Sequence, residues 1–248
     1  MTALIESLTP TPTPSPSPDP TGPGRGRSAG TSAPPWVSAV LVVHDGATWL
    51  GDNLDALARQ TLLPDRLVVV DVGSQDGSLE LVREHAGIHR ALADVEVRST
   101  TAPVPYGTAI GLALQALGQP GQHAGAEWLW LLHDDTAADP TALERLVGAV
   151  RRSPSVGIAG PKVVQWDNPR LLVEAGHQLT RAGRRVSAPA VGEPDQGQYD
   201  TRTDVLAVGT AGMLVRRDVF ESVGGFDRDF GQFGSDLDLG WRAQLAGH

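Results

Sequence analysis

The feature that most constrains this chain is the run Glu127-Trp128-Leu129-Trp130-Leu131-Leu132-His133-Asp134-Asp135-Thr136. An unbroken apolar stretch of this length, bounded by polar residues, reads as a strand buried on both faces, as in a parallel sheet. Ligands of open α/β sheets sit at the carboxyl ends of the strands, which is where His133-Asp134-Asp135 falls. Adjacent carboxylates repel unless a positive charge joins them, and hard divalent cations take oxygen ligands. The motif therefore reads as a metal site for a phosphorylated substrate, or as a cap for the following helix, a task Asp139 serves better.

The flanking pattern supports an α/β sheet. Val37 to Val43 is a β-branched strand broken by His44-Asp45-Gly46, and Leu50, Leu54 and Leu57 mark a helix ending near Gln60. Leu67 to Val70 is a second buried strand ending at Asp71. A turn-rich loop follows, with Ser78 as N-cap of a helix over Leu79 to His85. Val95 to Val97 is a third strand, and Ile110, Leu114 and Leu117 mark a helix starting near Tyr106-Gly107. After the opening strand, a helix from Pro140 carries Leu143, Leu146, Val147 and Val150. Such β-α alternation predicts a parallel sheet with right-handed crossovers.

Beyond residue 150 the pattern changes. Gly157 to Val164 is a short apolar segment, and residues 165–204 carry no assignable period. Val205 to Val208 and Met213 to Val215 read as strands, Arg217 to Val223 as a short helix, and Asp236 to Leu245 as a last helix. Residues 1–35 form a Pro-rich low-complexity segment expected to be disordered, followed by an ordered domain over 36–248. That domain divides into an alternating half, 36–150, and a half without that alternation, 151–248.

Composition excludes several functions. A net charge of −9 and a pI near 5.2 lack the basic footprint of a nucleic-acid binder. The absence of cysteine removes disulfides, thiolate metal sites and Cys nucleophiles. No apolar run is long enough to span a bilayer, and the N-terminus lacks the basic region of a signal peptide.

Three carboxylate positions carry candidate chemistry. Asp71, at a strand tip, could accept hydrogen bonds from a base or ribose, or cap the next turn. Asp134 and Asp135 form the metal candidate. Asp236, in Ser235-Asp236-Leu237-Asp238, could act as a general base with its charged form favoured by the helix dipole, or simply cap the helix.

Together these segments resemble the family 2 inverting glycosyltransferases of GT-A fold, a group that includes rhamnosyl- and galactofuranosyltransferases of cell-envelope synthesis. Val40-Leu41-Val42-Val43-His44-Asp45-Gly46 is similar to that family's first nucleotide-binding strand and loop. Val68-Val69-Val70-Asp71-Val72-Gly73-Ser74-Gln75-Asp76-Gly77-Ser78 is similar to its second motif, and Tyr106-Gly107-Thr108-Ala109 to its Gly-rich helix entry. Trp130-Leu131-Leu132-His133-Asp134-Asp135 takes the place of the DxD motif. Gly212-Met213-Leu214-Val215 with Gly224-Gly225-Phe226-Asp227, and Asp236-Leu237-Asp238-Leu239-Gly240-Trp241-Arg242, resemble the acceptor-side segments.

The resemblance implies an α/β, Rossmann-like, mostly parallel sheet flanked by helices, with a smaller mixed acceptor-side segment; 36–150 is then the nucleotide-sugar-binding half and 151–248 the acceptor-side half, incomplete. It implies metal-dependent transfer of a sugar from a nucleoside-diphosphate sugar of the UDP or dTDP type to a glycan or lipid-linked acceptor. Asp236 is then the base. Val43, His44, Asp45, Asp71, Gly107 and Asp134 contact the nucleotide. Asp135, Asp134 and His133 bind Mn²⁺ or Mg²⁺. Gly212, Gly225, Phe226, Asp227, Trp241 and Arg242 line the acceptor side. Transfer would take place in the cytoplasm, at the inner face of the plasma membrane.

This chain departs from the family pattern at Val72, in place of a second Asp, and at Ser235, in place of Glu. His133 replaces the first carboxylate of the DxD motif, and an imidazole ligand would favour Mn²⁺ over Mg²⁺. Family members continue past the last helix, so the chain is expected to be truncated at its C-terminus. Two other functions fit the same carboxylates: a catalytically silent sugar-nucleotide-binding or interaction module, and a nucleotidyltransferase. The loop after the first strand lacks the Gly-rich basic character that the latter usually shows.

Overall fold

Strands with no polar alternation have to be covered on both faces, and this requirement organises the architecture. The computed structural model describes residues 3–6 (backbone only), 33–180, 185–187, 189–201, 204–227 and 234–248. In chain order the elements begin with β1 (Ala3–Glu6), β2 (Trp36–Val43), α1 (Ala47–Ala58), β3 (Arg66–Asp71), α2 (Ser78–Glu84), α3 (Ala86–Ala91), β4 (Val95–Ser99) and α4 (Tyr106–Leu117). There follow β5 (Glu127–His133), β6 (Thr136–Ala138), α5 (Ala142–Arg152), β7 (Ile158–Ala159), β8 (Lys162–Gln165), β9 (Leu172–Glu174), β10 (His177–Leu179) and β11 (Arg185–Ser187). The chain closes with β12 (Leu214–Arg216), α6 (Arg217–Ser222) and α7 (Ser235–Leu245).

The central sheet runs β4-β3-β2-β5-β12-β7. Its first four strands are parallel, while β12 lies antiparallel to both β5 and β7. Val37, Ala39, Leu41, Val69, Trp130 and Leu132 pack on one face with α1 and α5. Val40, Val68, Val70, Leu129 and Leu131 pack on the other with α4, Phe220, Phe226 and Leu239. Each fully buried Leu or Ile contributes about 1.5–3 kcal/mol, so the double-sided core dominates stability. Strand order reverses between β2 and β5, which makes their carboxyl ends the topological switch point.

The region that carried no assignable period holds β9, at the edge of a second sheet ordered β6-β1-β8-β9, and the β10-β11 pair. Ala3–Glu6, inside the Pro-rich segment, pairs parallel to β6 and antiparallel to β8; residues 7–32, on which most of the expected disorder falls, lie outside the described residues. Two expectations are corrected here. Ser78 is not an N-cap. Gly77, at φ 91°, precedes the helix, and the Ser78 hydroxyl instead accepts the Gly46 N–H. Val205 to Val208 does not form a strand, and only Ala207 makes an isolated bridge, to His177. The backbone of that stretch is committed to β10 and to α7, which leaves no edge for a ladder.

Candidate active site

The switch point brings the first loop against the end of β5. His44 N–H donates to Asp134 Oδ2 at 2.7 Å, in the register that pairs Val42 with His133. Gly46 has to be glycine here, because a Cβ would lie 2.4 Å from Asp134 Oδ2. The same loop is stitched to the turn after β3. Asp45 N–H donates to Ser74 Oγ, Gly46 N–H to Ser78 Oγ and Ala47 N–H to Asp76 Oδ2, while Asp45 Oδ1 accepts from Gln75 N–H. Asp45 pays for this fit with a positive φ of 50°. Asp71 is buried at the tip of β3, paired in register with Val43, and its Oδ1 accepts from Ser74 N–H at 3.3 Å.

The turn bearing Asp134 and Asp135 is held from below by Asn53 of α1. Its Nδ2 donates to the carbonyls of both His133 and Thr136. Burial pushes the Asp134 carboxyl above the ordinary range, with the neighbouring Asp135 charge adding to the effect.

His133 lies on the α4 side of the sheet. Its Nε2 is 2.8 Å from Thr210 Oγ1 and its ring centroid is 4.8 Å from that of Tyr106. Burial holds the imidazole below its ordinary pKa, against the opposing pull of Asp135, Glu174 and Asp236. The carboxylates that act on this buried histidine come from the turn after β5, from β9 and from α7.

The residues expected on the acceptor side lie as follows. Gly107 abuts Phe226, whose ring makes edge contacts with Tyr106 and Phe220. Gly212, at φ 96°, donates its N–H to Leu131 O and so starts β12 beside β5. Gly225, at φ 68°, offers its carbonyl to Arg242 Nη2. Arg242 also bonds Asp238 and the Val223 carbonyl, so its guanidinium ties α7 to the 223–225 turn. The side chain expected to line the acceptor side is thus engaged within the chain itself. Asp227 is exposed, and Trp241 is 47% exposed on α7.

A divalent cation bridging a diphosphate needs only one or two protein carboxylates, with phosphate and water oxygens completing the shell. Asp135 fits that demand. The expected trio of His133, Asp134 and Asp135 does not close into a cage: His133 is engaged by Thr210, and Asp134 by the His44 amide. Among the described residues, no three His, Asp or Glu side chains form a ready-made metal centre.

Sequence reasoning missed Asn53, Glu174, His177 and Thr210. Glu174 and His177 flank Ala175-Gly176 directly after the apolar run Leu171-Leu172-Val173, a strand-and-turn signal hidden in the unassigned region. The other two carried no signal short of the fold.

Residues 34–248 match the family described as "Glycosyltransferase like family 2". The chain is 26% identical over 221 residues to the N-acetylglucosaminyl-diphospho-decaprenol L-rhamnosyltransferase of Mycobacterium tuberculosis, covering 84% of this chain and 70% of that one. It is 27% identical over 227 residues to galactofuranosyltransferase GlfT1 of the same organism, covering 83% and 69%. Among solved structures it resembles the mannosyltransferase PcManGT of Pyrobaculum calidifontis in complex with GDP-Man and Mn²⁺. The TM-score is 0.58 at 19% identity, over 86% of this chain and 53% of that one. It also resembles S. aureus TarS in complex with UDP, with TM-score 0.57 at 14% identity, over 84% and 55%. The chain thus spans about half the length of these solved structures.

Proposed function

Because the chain belongs to glycosyltransferase family 2 and carries the GT-A fold, we propose that it moves a sugar from a nucleoside diphosphate, of the UDP or dTDP type, to a hydroxyl of a glycan or lipid-linked acceptor, with inversion. The observation that supports this reading is the run of contacts from Asp236 through His177 and Glu174 to Gly209, whose neighbour Thr210 meets His133 beside Asp134 and Asp135. The UDP named for TarS and the lipid-linked acceptor named for the rhamnosyltransferase are consistent with it, while the GDP-Man named for PcManGT supports a nucleoside-diphosphate donor but not that choice of base.

In this reading Asp71 takes a hydrogen bond from the nucleotide base. Asp135 would hold Mn²⁺ or Mg²⁺, which would supply positive charge to offset that of the departing nucleoside diphosphate. Asp134 locks the first loop through the His44 amide. Asp236, its ionised form favoured at the head of α7, accepts the acceptor's proton as the oxygen attacks the anomeric carbon opposite the leaving group. No described helix is long and apolar enough to cross a membrane. We place the reaction in the cytoplasm, at the inner membrane face, where a lipid-linked acceptor would present its hydroxyl.

The test is calorimetric titration of UDP and dTDP with and without Mn²⁺, followed by transfer assays with the matching nucleotide sugars and analysis of the product anomer. Metal-dependent binding that Asp135→Ala abolishes is expected. Unchanged affinity in that variant overturns the metal assignment, and a product of retained configuration overturns inversion.

A further inference from the structure

We infer that Glu174 and His177 are positioning residues for the Asp236 carboxylate, an inference that rests on the assignment of Asp236 as the base. His177 is buried, at 1% exposure. Its Nε2 lies 3.2 Å from Glu174 Oε1 and 3.4 Å from Asp236 Oδ2. Ionised carboxylates only accept, so Nε2 carries the proton and the imidazole donates between the two acids. The contact to Asp236 is long for a hydrogen bond, as catalytic bonds commonly are before substrate tightens them.

The spacing is set by backbone, not by flexible side chains. His177 N–H donates to Ala207 O at 2.7 Å, and its carbonyl accepts from Leu206 N–H at 3.0 Å. Helix α7 reaches the same two residues through Gly240, where a Cβ would lie 2.5 Å from Leu206 O and 2.6 Å from Ala207 Cβ. One dipeptide, Leu206-Ala207, is thus the common floor of His177 and of the helix that bears Asp236. On the other side Gly176, at φ 77°, turns the chain from β9 to β10 so that Glu174 and His177 face one another.

Glu174 adds a second link. Its Oε1 also accepts from Gly209 N–H at 2.5 Å, and the next residue, Thr210, meets His133. The path Asp236–His177–Glu174–Gly209–Thr210–His133 joins the base side of the site to the metal side. A carboxylate at a helix head has rotamer freedom that a proton acceptor cannot use. Donation to one of its oxygens fixes its direction before the acceptor arrives.

The experiment compares His177→Leu, which removes the donor, with His177→Gln, which keeps an N–H at similar reach, and with Glu174→Gln. Transfer by His177→Leu should fall about 10- to 100-fold in kcat. Acceptor KM and the affinity for UDP with Mn²⁺ should hold, and His177→Gln should recover most of the rate. Equal losses in the Leu and Gln variants, or losses that track melting temperature, mean a structural role and overturn the inference. If Asp236→Asn transfers at the wild-type rate, the base assignment fails and takes this inference with it. If Asp236→Asn is inactive and His177→Leu is not, only this inference fails.

A readout independent of turnover is ¹⁵N NMR of the imidazoles of the full chain. One signal, lost in His177→Gln, should report an Nε2–H tautomer and move in both Asp236→Asn and Glu174→Gln. An Nδ1–H tautomer, or indifference to Asp236→Asn, overturns the link even in a chain that shows no transfer.

Discussion

Asp134 and Asp135 are neighbours in sequence and differ in task. Asp134 is buried against the His44 amide, and its proton is held more tightly in the folded chain than in the unfolded one. A folded-state pKa raised above the unfolded value stabilises the fold fully below the unfolded value and loses that contribution as pH rises through the folded one. Without divalent ions, Asp134→Asn keeps an acceptor for His44 and removes this titration. Its stability profile should be flatter than the wild type's from the ordinary carboxylate range upward, as measured by urea melts across pH. Asp236 sits at the opposite pole of the site. Asp236→Asn keeps the shape and removes the basicity, so donor affinity should hold while transfer falls by about 10²- to 10⁴-fold, read by single-turnover kinetics.

Among the elements, α7 matters most because three features fix where it lies. Gly240 allows backbone contact with Leu206-Ala207, Arg242 bonds the Val223 and Gly225 carbonyls, and Leu239 enters the core. Gly240→Ala forces a methyl group against a carbonyl oxygen that cannot rotate away. Overpacking of this kind costs about 1–3 kcal/mol. Melting should drop by several degrees, and transfer should be lost faster than stability, because Asp236 moves with the helix. A Gly240→Ala variant with normal melting and rate would mean that the helix is not seated on that dipeptide. On the opposite side, β5 is anchored where buried Arg217 of α6 meets Glu127 at 3.2 Å, far from the chemistry. The two ends of the sheet thereby divide support from reaction.

For the whole molecule, the site is assembled from β2, β3, β5, β9, β10 and the head of α7, so a ligand that bridges them should stabilise the fold globally. At about 100 times its Kd, a ligand that binds only the folded state adds about 2.7 kcal/mol. For a chain of this size that is a rise in Tm of roughly 5–10 °C, at 2–4 °C per kcal/mol. UDP or dTDP with Mn²⁺ should produce it, and the nucleotide with EDTA should produce much less. Equal shifts with and without metal, in a thermal-shift assay, would show that the nucleotide binds through protein groups alone.

The sequence by itself determined the double-sided core. Runs such as Val37 to Val43 and Trp128 to Leu132 have no polar face, so only a sheet covered on both sides can hold them, and β-α alternation dictates its parallel half. It also placed Asp71, Asp135 and Asp236 at element ends, because polar residues that interrupt apolar runs mark those ends. The tertiary structure decided which carboxylates share a site and which are spent on the scaffold. Asp134 is taken by an amide 90 residues earlier in the chain, and Ser78 by one 32 residues earlier. Glu174 and His177 come from a stretch without periodicity, whose short strands are held by neighbours from elsewhere in the chain. Local pattern records burial and period; contacts across such separations leave no period to read, so they emerge only when the chain has closed on itself.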